Sequence, residues 1–280
     1  MNDIKTVHFC SMSLDLGTLQ SLYLCGDTRR LRPNLAFVRT DGSTFFEINE
    51  SGFKGGSIDP NRTLAVVWGD SVVFGIGPGW PCLLDGLAPG YQFLNGGIEG
   101  DSYRSVLARM TEFNQQQRVS LNILLPGWHP HRENDNLQAD LVGAINATPN
   151  VVLATMPTAL NERVVNEDLR SYLSPNLSDW TKVYLNSAGG EPEQVGFFFH
   201  GSLEYSVEAQ KDVFGHITER NRIIREVAQT MNITLIDLFS AFDTTYTDLR
   251  MDFFDVPHPR PSAYPKLAET VHRGIVHLLR

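Results

Sequence analysis

The sequence predicts an α/β fold, a three-layer α/β/α sandwich around a parallel sheet, from two features of residues 64–280. Short, wholly apolar runs recur along this region, and strands buried on both faces have this composition. Longer segments between the runs have the apolar spacing of amphipathic helices. Strands that alternate with helices pack as a parallel sheet with helices on both faces.

Five apolar runs are the predicted strands: LAVVW (64–68), YQFLN (91–95), LNILL (121–125), VVLAT (151–155) and ITLID (233–237). Amphipathic helices are predicted at 102–113, 136–145, 216–230 and from 262 to the C-terminus. A parallel sheet of about five strands, each followed by a helix, describes a flavodoxin-like sandwich.

Two segments fall outside this alternation. Residues 1–60 are predicted to form a small antiparallel β extension, with strands at 19–26, 34–40 and 43–49, ahead of a main domain at 61–280. Residues 156–206 are rich in Asn, Ser, Gly and Pro. We expect this stretch to be a functional insertion or lid, because structureless loops of that length are uncommon in compact domains.

Charge and hydropathy exclude several classes of partner. The 23 basic against 32 acidic residues give a net charge of -9, which argues against binding to nucleic acid or to an anionic membrane. No apolar run approaches the roughly 20 residues of a membrane-spanning helix. The first residues also lack the apolar core of a secretory signal, so a cytoplasmic protein is expected.

A candidate nucleophile follows the first predicted strand. Ligands bind beyond the carboxyl ends of the strands in an open parallel sheet, and Gly69-Asp70-Ser71 occupies that position. A serine at a tight strand-to-helix turn exposes its hydroxyl close to backbone N–H groups. The tripeptide recurs at residues 100–102, but that copy does not directly follow an apolar strand. Ser71 is therefore the predicted nucleophile, and Ser102 is interpreted as a helix cap.

Two further segments contain candidate functional residues. The glycine-rich residues 96–101 follow the second strand and suit either close approach of the backbone to a ligand or an ordinary flexible turn. Asp255 precedes His258 by three residues on a turn stiffened by prolines. Such a carboxylate can accept the imidazole Nδ1–H and leave Nε2 to take a proton from a serine, although the pair could also only cap the next helix.

Together these segments resemble the conserved blocks of the SGNH (GDSL-type) hydrolases. The Gly-Asp-Ser after the first strand, Asn-x-Gly-x-x-Gly-Asp after the second and Asp-x-x-His before the last helix resemble blocks I, II and V. NESGFKG (49–55) also resembles the lead-in of many bacterial members. The resemblance implies a flavodoxin-like fold and a triad with Ser71 as nucleophile, His258 as general base and Asp255 as its orienting carboxylate. It also implies oxyanion donors from the backbone of Ser71 and Gly100.

Block III departs from the family pattern. The family has Gly-x-Asn-Asp directly after the third strand, whereas LNILL is followed by PGWHPHREND (126–135). Strict spacing places His129 where the asparagine that donates to the oxyanion is expected. A longer loop would instead bring Asn134 to that position, and both side chains can donate an N–H. His129 is slightly favoured on spacing, and Asn134 is kept as the alternative.

The resulting expectation is a serine esterase that acts through an acyl-enzyme on Ser71. Its expected substrate is a small-molecule ester, such as a short-chain acyl ester or an O-acetyl group on a carbohydrate. No cofactor and no metal are expected, since the histidines and carboxylates of 129–135 have no zinc-type spacing. The alternatives are an acyltransferase that uses the same triad and a non-catalytic binding module with a degraded oxyanion hole.

Overall fold

The computed structural model describes most of the 280 residues, with gaps that bear on the site. The described ranges are 5–8, 23–24, 30–38, 44–75, 77–128, 136–162, 164–166, 207–245, 252–253 and 257–279.

The described part of residues 1–60 contains five short strands. They are β1 (Lys5–His8), β2 (Tyr23–Leu24), β3 (Arg30–Leu31), β4 (Leu35–Val38) and β5 (Thr44–Ile48). The predicted antiparallel pair at 34–40 and 43–49 is confirmed as β4 and β5. The expectation that the whole region is antiparallel is wrong, because β1 pairs in parallel with β4. A four-residue strand that pairs about 30 positions away carries no local pattern that shows its direction.

The main sheet contains the five predicted strands and confirms the fold class. They are β6 (Thr63–Gly69), β7 (Tyr91–Gly97), β8 (Leu121–Leu124), β9 (Val151–Ala154) and β10 (Leu235–Ile236). All pairings are parallel, in the order β10-β9-β8-β6-β7. The chain therefore has the flavodoxin-like strand order, in which β7 lies on one side of β6 and the later strands lie on the other. Ligands bind where this order reverses, beyond the carboxyl end of β6.

Helices connect these strands and cover the sheet. In chain order they are α1 (Ser71–Phe74), α2 (Leu84–Leu87), α3 (Tyr103–Gln116), α4 (Leu137–Ala147), α5 (Val207–Met231), α6 (Leu238–Thr245) and α7 (Tyr264–Ile275). The four predicted helices correspond to α3, α4, α5 and α7. Helix α5 begins nine residues before its predicted start, because Gly215 lies within the helix and does not end it. Within the described ranges, no helix is both long and apolar enough to cross a membrane.

Two apolar clusters, one on each face of the sheet, hold the layers together. Ala65 and Val67 of β6 face a cluster that includes α7 and the segment 80–84. Val66 and Trp68 alternate with them and face the opposite cluster, which includes α3, α4 and the later part of α5. Both faces of β6 are buried, which explains why its sequence is a continuous apolar run.

The described start of the predicted insertion at 156–206 is packed inside the molecule. Met156, Ala159, Leu160 and Val164 are buried in the same cluster as α7. Residues 163 and 167–206 of the insertion lie outside the described residues. Its function as a lid therefore stays a prediction.

Candidate active site

The end of β6 positions Ser71 at the start of a single helical turn. Asp70 caps α1, and its side-chain Oδ1 accepts a hydrogen bond from the Val72 backbone N–H at 3.0 Å. Gly69 lets this turn fold tightly, because a Cβ there would lie 2.4 Å from a methyl group of Val73. Ser71 is the first residue of α1 and is half-buried, so its hydroxyl lies at the carboxyl edge of the sheet.

The structure brings Ser71 and His258 together. Ser71 Oγ lies 2.8 Å from His258 Nε2, although the two residues are 187 positions apart in the chain. Beside His258, Pro259 forms a β-bridge with Phe253, and Arg260 Nε donates to the Phe253 carbonyl at 2.9 Å. This distance and atom pairing are what a histidine base needs to accept the proton of a serine hydroxyl.

Asp255, the third predicted residue of the triad, lies outside the described residues. So do His129 and Asn134, the alternative donors to the oxyanion. The assignments of these three residues therefore stay predictions.

The buried carboxylate of Asp70 joins the serine turn to the segment after β8. Its Oδ2 accepts the Trp128 backbone N–H at 2.8 Å, while Oδ1 caps α1. Gly127 has φ +92°, and a Cβ there would approach Asp70 Oδ2 to 3.0 Å, so the turn favours glycine. The Trp128 ring meets the His258 ring edge-on, with 6.1 Å between centroids. Block III therefore begins beside the candidate base.

The glycine-rich segment differs from both sequence interpretations at Gly96 and Gly97. Strand β7 continues through Gly97, so these two glycines belong to the strand and not to a loop. A Cβ on Gly97 would lie 2.2 Å from the Phe74 backbone nitrogen, so glycine here allows α1 to pack directly on the strand. Gly100 follows at an exposed turn with φ +65°. Ser102 caps α3 by accepting the Ser105 N–H, which confirms its interpretation as a helix cap.

A buried arginine that the sequence did not reveal connects these segments. Arg109 of α3 pairs with Asp101 at 2.7 Å and donates to the backbone carbonyls of Gly96 at 2.8 Å and Gly69 at 3.4 Å. Burial lowers the pKa of Arg109, and the Asp101 carboxylate opposes that effect. The ion pair thus ties the loop of Gly100 to the ends of β6 and β7. An arginine on an amphipathic helix looks like a surface residue, so no sequence signal marked it.

Two buried side chains hold the other end of α1. Asn95 Nδ2 donates to the carbonyls of Phe74 at 3.1 Å and Pro78 at 3.2 Å. Lys54 Nζ donates to the carbonyls of Phe74 and Gly75, each at 2.8 Å. Burial lowers the pKa of Lys54 to about 7. Both residues belong to motifs noted in the sequence, but their contacts with α1 could not be read from it.

A cavity of about 330 Å³ lies apart from the Ser71–His258 pair. It lies between Arg30–Leu31, the turn at 50–53 and α3, and neither Ser71 nor His258 lines it. In the described ranges, no group of three or more His, Cys, Asp and Glu side chains is placed to hold a metal ion.

Solved structures with a similar fold include several hydrolases. A lipase/acylhydrolase from Enterococcus faecalis is 16% identical, with a TM-score of 0.51, and the match covers 78% of this chain and 98% of that one. An alpha/beta hydrolase enzyme from the metagenome of Lake Arreo, Spain, is 14% identical, with a TM-score of 0.50 and coverage of 79% and 98%. A member of the lipolytic protein G-D-S-L family from Veillonella parvula is 15% identical, with a TM-score of 0.48 and coverage of 76% and 97%.

No protein-family model matches the sequence, and no curated protein matches it. Similarity at this level of identity concerns the fold, and it agrees with the α/β architecture described above. The chain therefore shares the three-layer α/β/α fold of the first two of these structures.

Proposed function

We propose that this protein is a serine hydrolase that cleaves carboxylic esters, with Ser71 as nucleophile and His258 as general base. The observation that carries the proposal is the 2.8 Å contact between Ser71 Oγ and His258 Nε2 at the carboxyl end of β6. The E. faecalis lipase/acylhydrolase of similar fold supports ester chemistry for this scaffold.

In the acylation step, Ser71 Oγ attacks the ester carbonyl carbon while His258 Nε2 accepts the hydroxyl proton. The backbone N–H groups of Ser71 and Gly100 donate to the oxyanion that forms, and His129 or Asn134 supplies a third donor. His258 then gives its proton to the leaving alcohol, which leaves an acyl group on Ser71. Asp255 accepts the Nδ1–H of His258 and stabilises the imidazolium.

Deacylation repeats these steps with water. His258 removes a proton from water as the water oxygen attacks the acyl carbonyl, and the second tetrahedral intermediate collapses to release the acid. Ser71 regains its proton from His258. The substrate class that fits this chemistry is a small ester, either a short-chain acyl ester or an O-acetylated carbohydrate.

The first test compares wild-type protein with Ser71→Ala and His258→Ala on short-chain p-nitrophenyl esters. Loss of a triad residue lowers kcat by about 10⁴-fold or more, because the nucleophile and its base act as a unit. Ser102→Ala is the matched control. It removes a serine from the second Gly-Asp-Ser but only uncaps α3, so it costs about 1 kcal/mol of stability and leaves kcat unchanged.

The outcomes separate the three candidate functions. Equal rates for wild type and Ser71→Ala would contradict the hydrolase proposal. Labelling of Ser71 by a fluorophosphonate without ester turnover would favour an acyltransferase, in which an acceptor hydroxyl replaces water. A wild-type protein that neither turns over esters nor labels would point to a binding module.

A further inference from the structure

Lys54 is a buried ammonium group at the end of the helical turn that carries Ser71. Lys54 is only 1% exposed, and its Nζ lies 2.8 Å from the carbonyl oxygens of both Phe74 and Gly75. The same nitrogen lies over the ring of Phe74 at 3.7 Å and that of Phe46 at 4.7 Å from the ring centroids. Burying an ammonium group is costly, and these contacts offset only part of the desolvation penalty.

Lys54 supplies the hydrogen-bond donors that a one-turn helix lacks at its C-terminal end. The carbonyls at the C-terminal end of a helix have no partner within it, and they carry partial negative charge. Helix α1 spans only Ser71–Phe74, and a helix this short is not stable on its own. The ammonium group of Lys54 satisfies the carbonyls at this end, while the Asp70 carboxylate caps the opposite end.

The backbone of Lys54 is anchored as well as its side chain. Lys54 forms isolated β-bridges with Ile48 at the end of β5 and with Asn95 of β7, and its N–H donates to the Asn95 carbonyl at 3.2 Å. Asn95 Nδ2 in turn donates to the same Phe74 carbonyl that Lys54 contacts. Lys54 therefore links β5 and β7 to α1.

We propose that Lys54 is a positioning residue for the nucleophile: it clamps the carbonyls of Phe74 and Gly75 and thereby keeps Ser71 Oγ within reach of His258. The inference rests on the proposed function of Ser71. Lys54 is the only cationic residue of the NESGFKG segment, and its contacts with Phe74 and Gly75 connect that segment to the helical turn of Ser71.

Several polar groups lie near this lysine or near the carbonyls that it contacts. The Glu99 carboxylate, in the turn after β7, favours its charge, whereas Cys82, in the 3-10 helix Trp80–Leu83, is a neutral thiol because burial raises its pKa to about 11. The Tyr264 hydroxyl of α7 lies against Gly75, where a Cβ would approach it to 2.8 Å. The pKa of Lys54 is about 7, because desolvation by burial outweighs the favourable effect of the Glu99 carboxylate.

The test uses Lys54→Met, which keeps most of the side-chain volume but cannot donate, and Lys54→Gln, which retains N–H donors on a shorter side chain. Each variant is measured for the rate of Ser71 labelling by an uncharged fluorophosphonate, and for kcat and KM on a p-nitrophenyl ester. We expect Lys54→Met to lower the labelling rate and kcat by about 10- to 100-fold, because a displacement of about 1 Å can cost that much. KM should change less than about twofold, and Lys54→Gln should recover part of the rate.

Ile224→Ala is the control for loss of stability. Ile224 of α5 is buried in the cluster on the α3/α4 face of the sheet, so its truncation opens a cavity without contact with α1. It should lower the thermal midpoint and leave the labelling rate unchanged. A folded Lys54→Met protein that labels at the wild-type rate would overturn the inference. So would an equal loss of rate in Ile224→Ala, since the effect would then be general destabilisation.

If neither Lys54 variant folds, the pH profile of the wild-type enzyme decides. Deprotonation of His258 as general base raises kcat/KM first, and loss of the Lys54 charge and of one N–H should then lower it by about twofold to tenfold towards pH 9. A profile that rises with His258 and then stays level to pH 9 would overturn the inference. Failure of the proposed function has a different outcome, because wild-type protein would then show neither Ser71 labelling nor Ser71-dependent turnover.

Discussion

A methyl group added at Gly97 should disable the site without touching any catalytic atom. The Cβ of Gly97→Ala would lie 2.2 Å from the Phe74 nitrogen and 2.7 Å from both Phe74 Cα and the Val73 carbonyl carbon. All three are backbone atoms, so no rotation of a side chain can relieve the contact. Helix α1 and strand β7 must therefore separate.

The size of that movement follows from the distances. Cβ atoms essentially never approach another heavy atom more closely than 3.0 Å, so the 2.2 Å contact requires a displacement of at least about 0.8 Å. Overpacking of this kind costs about 1–3 kcal/mol of stability. A misplacement of about 1 Å can cost about 10²-fold in rate. We therefore expect Gly97→Ala to fold with a lower urea midpoint and to lose about 10²-fold in kcat.

The assay is ester hydrolysis combined with urea unfolding, and the control is Gly143→Ala. Gly143 lies within α4, and a Cβ there meets nothing within 4 Å. Alanine at that position should raise stability by about 0.4–1 kcal/mol and leave kcat unchanged. A Gly97→Ala enzyme with wild-type kcat would refute the reasoning, since it would mean that α1 can move on β7 without displacing Ser71.

Two further predictions concern buried charges. Asp101→Ala leaves Arg109 buried without its counterion and should cost about 3–5 kcal/mol in urea unfolding, whereas the exposed Arg104→Ala, which also breaks an ion pair, should barely shift the midpoint. Equal midpoints for the two variants would contradict the prediction. The second prediction compares the free energy of unfolding of wild type and Lys54→Met between pH 7 and 9. In wild type the pKa of Lys54 is about 7 in the folded chain and about 10.5 in the unfolded chain, so the unfolded chain binds more protons over this range. The free energy of unfolding of wild type should therefore rise relative to that of the variant by up to about 1.4 kcal/mol per pH unit. A difference in unfolding free energy that is independent of pH would contradict the lowered pKa.

The sheet could be predicted from sequence because its strands are buried on both faces. That burial makes LAVVW and LNILL continuous apolar runs, and the structure places β6 and β8 there. The parallel strand β1 was missed because KTVH is short and mixed in polarity. Its pairing with β4 depends on a contact that is distant in sequence, which local periodicity does not record.

The site could be predicted in part for a related reason. Ser71 follows the end of an apolar strand and His258 lies between two prolines, which are features of the sequence, and the structure brings their side chains together. The roles of Lys54 and Arg109 were not predicted, because lysine and arginine are exposed in most proteins and only the tertiary structure reveals their burial. The sequence interpretation of Gly97 rested on the conformational freedom of glycine. The structure shows instead that its lack of a side chain is what allows α1 to pack on β7.

These contacts share one physical cause. A helix of four residues cannot hold its own conformation, since too few hydrogen bonds form to offset the entropy of fixing its backbone. The surrounding structure therefore fixes α1 from outside: Asp70 caps its start, Gly97 supports it from β7, and Asn95 and Lys54 bind the carbonyls at its end. The position of the Ser71 hydroxyl is consequently set by side chains that never reach the reacting atoms. Substitutions at these residues should lower kcat in proportion to how far α1 moves, with little effect on KM.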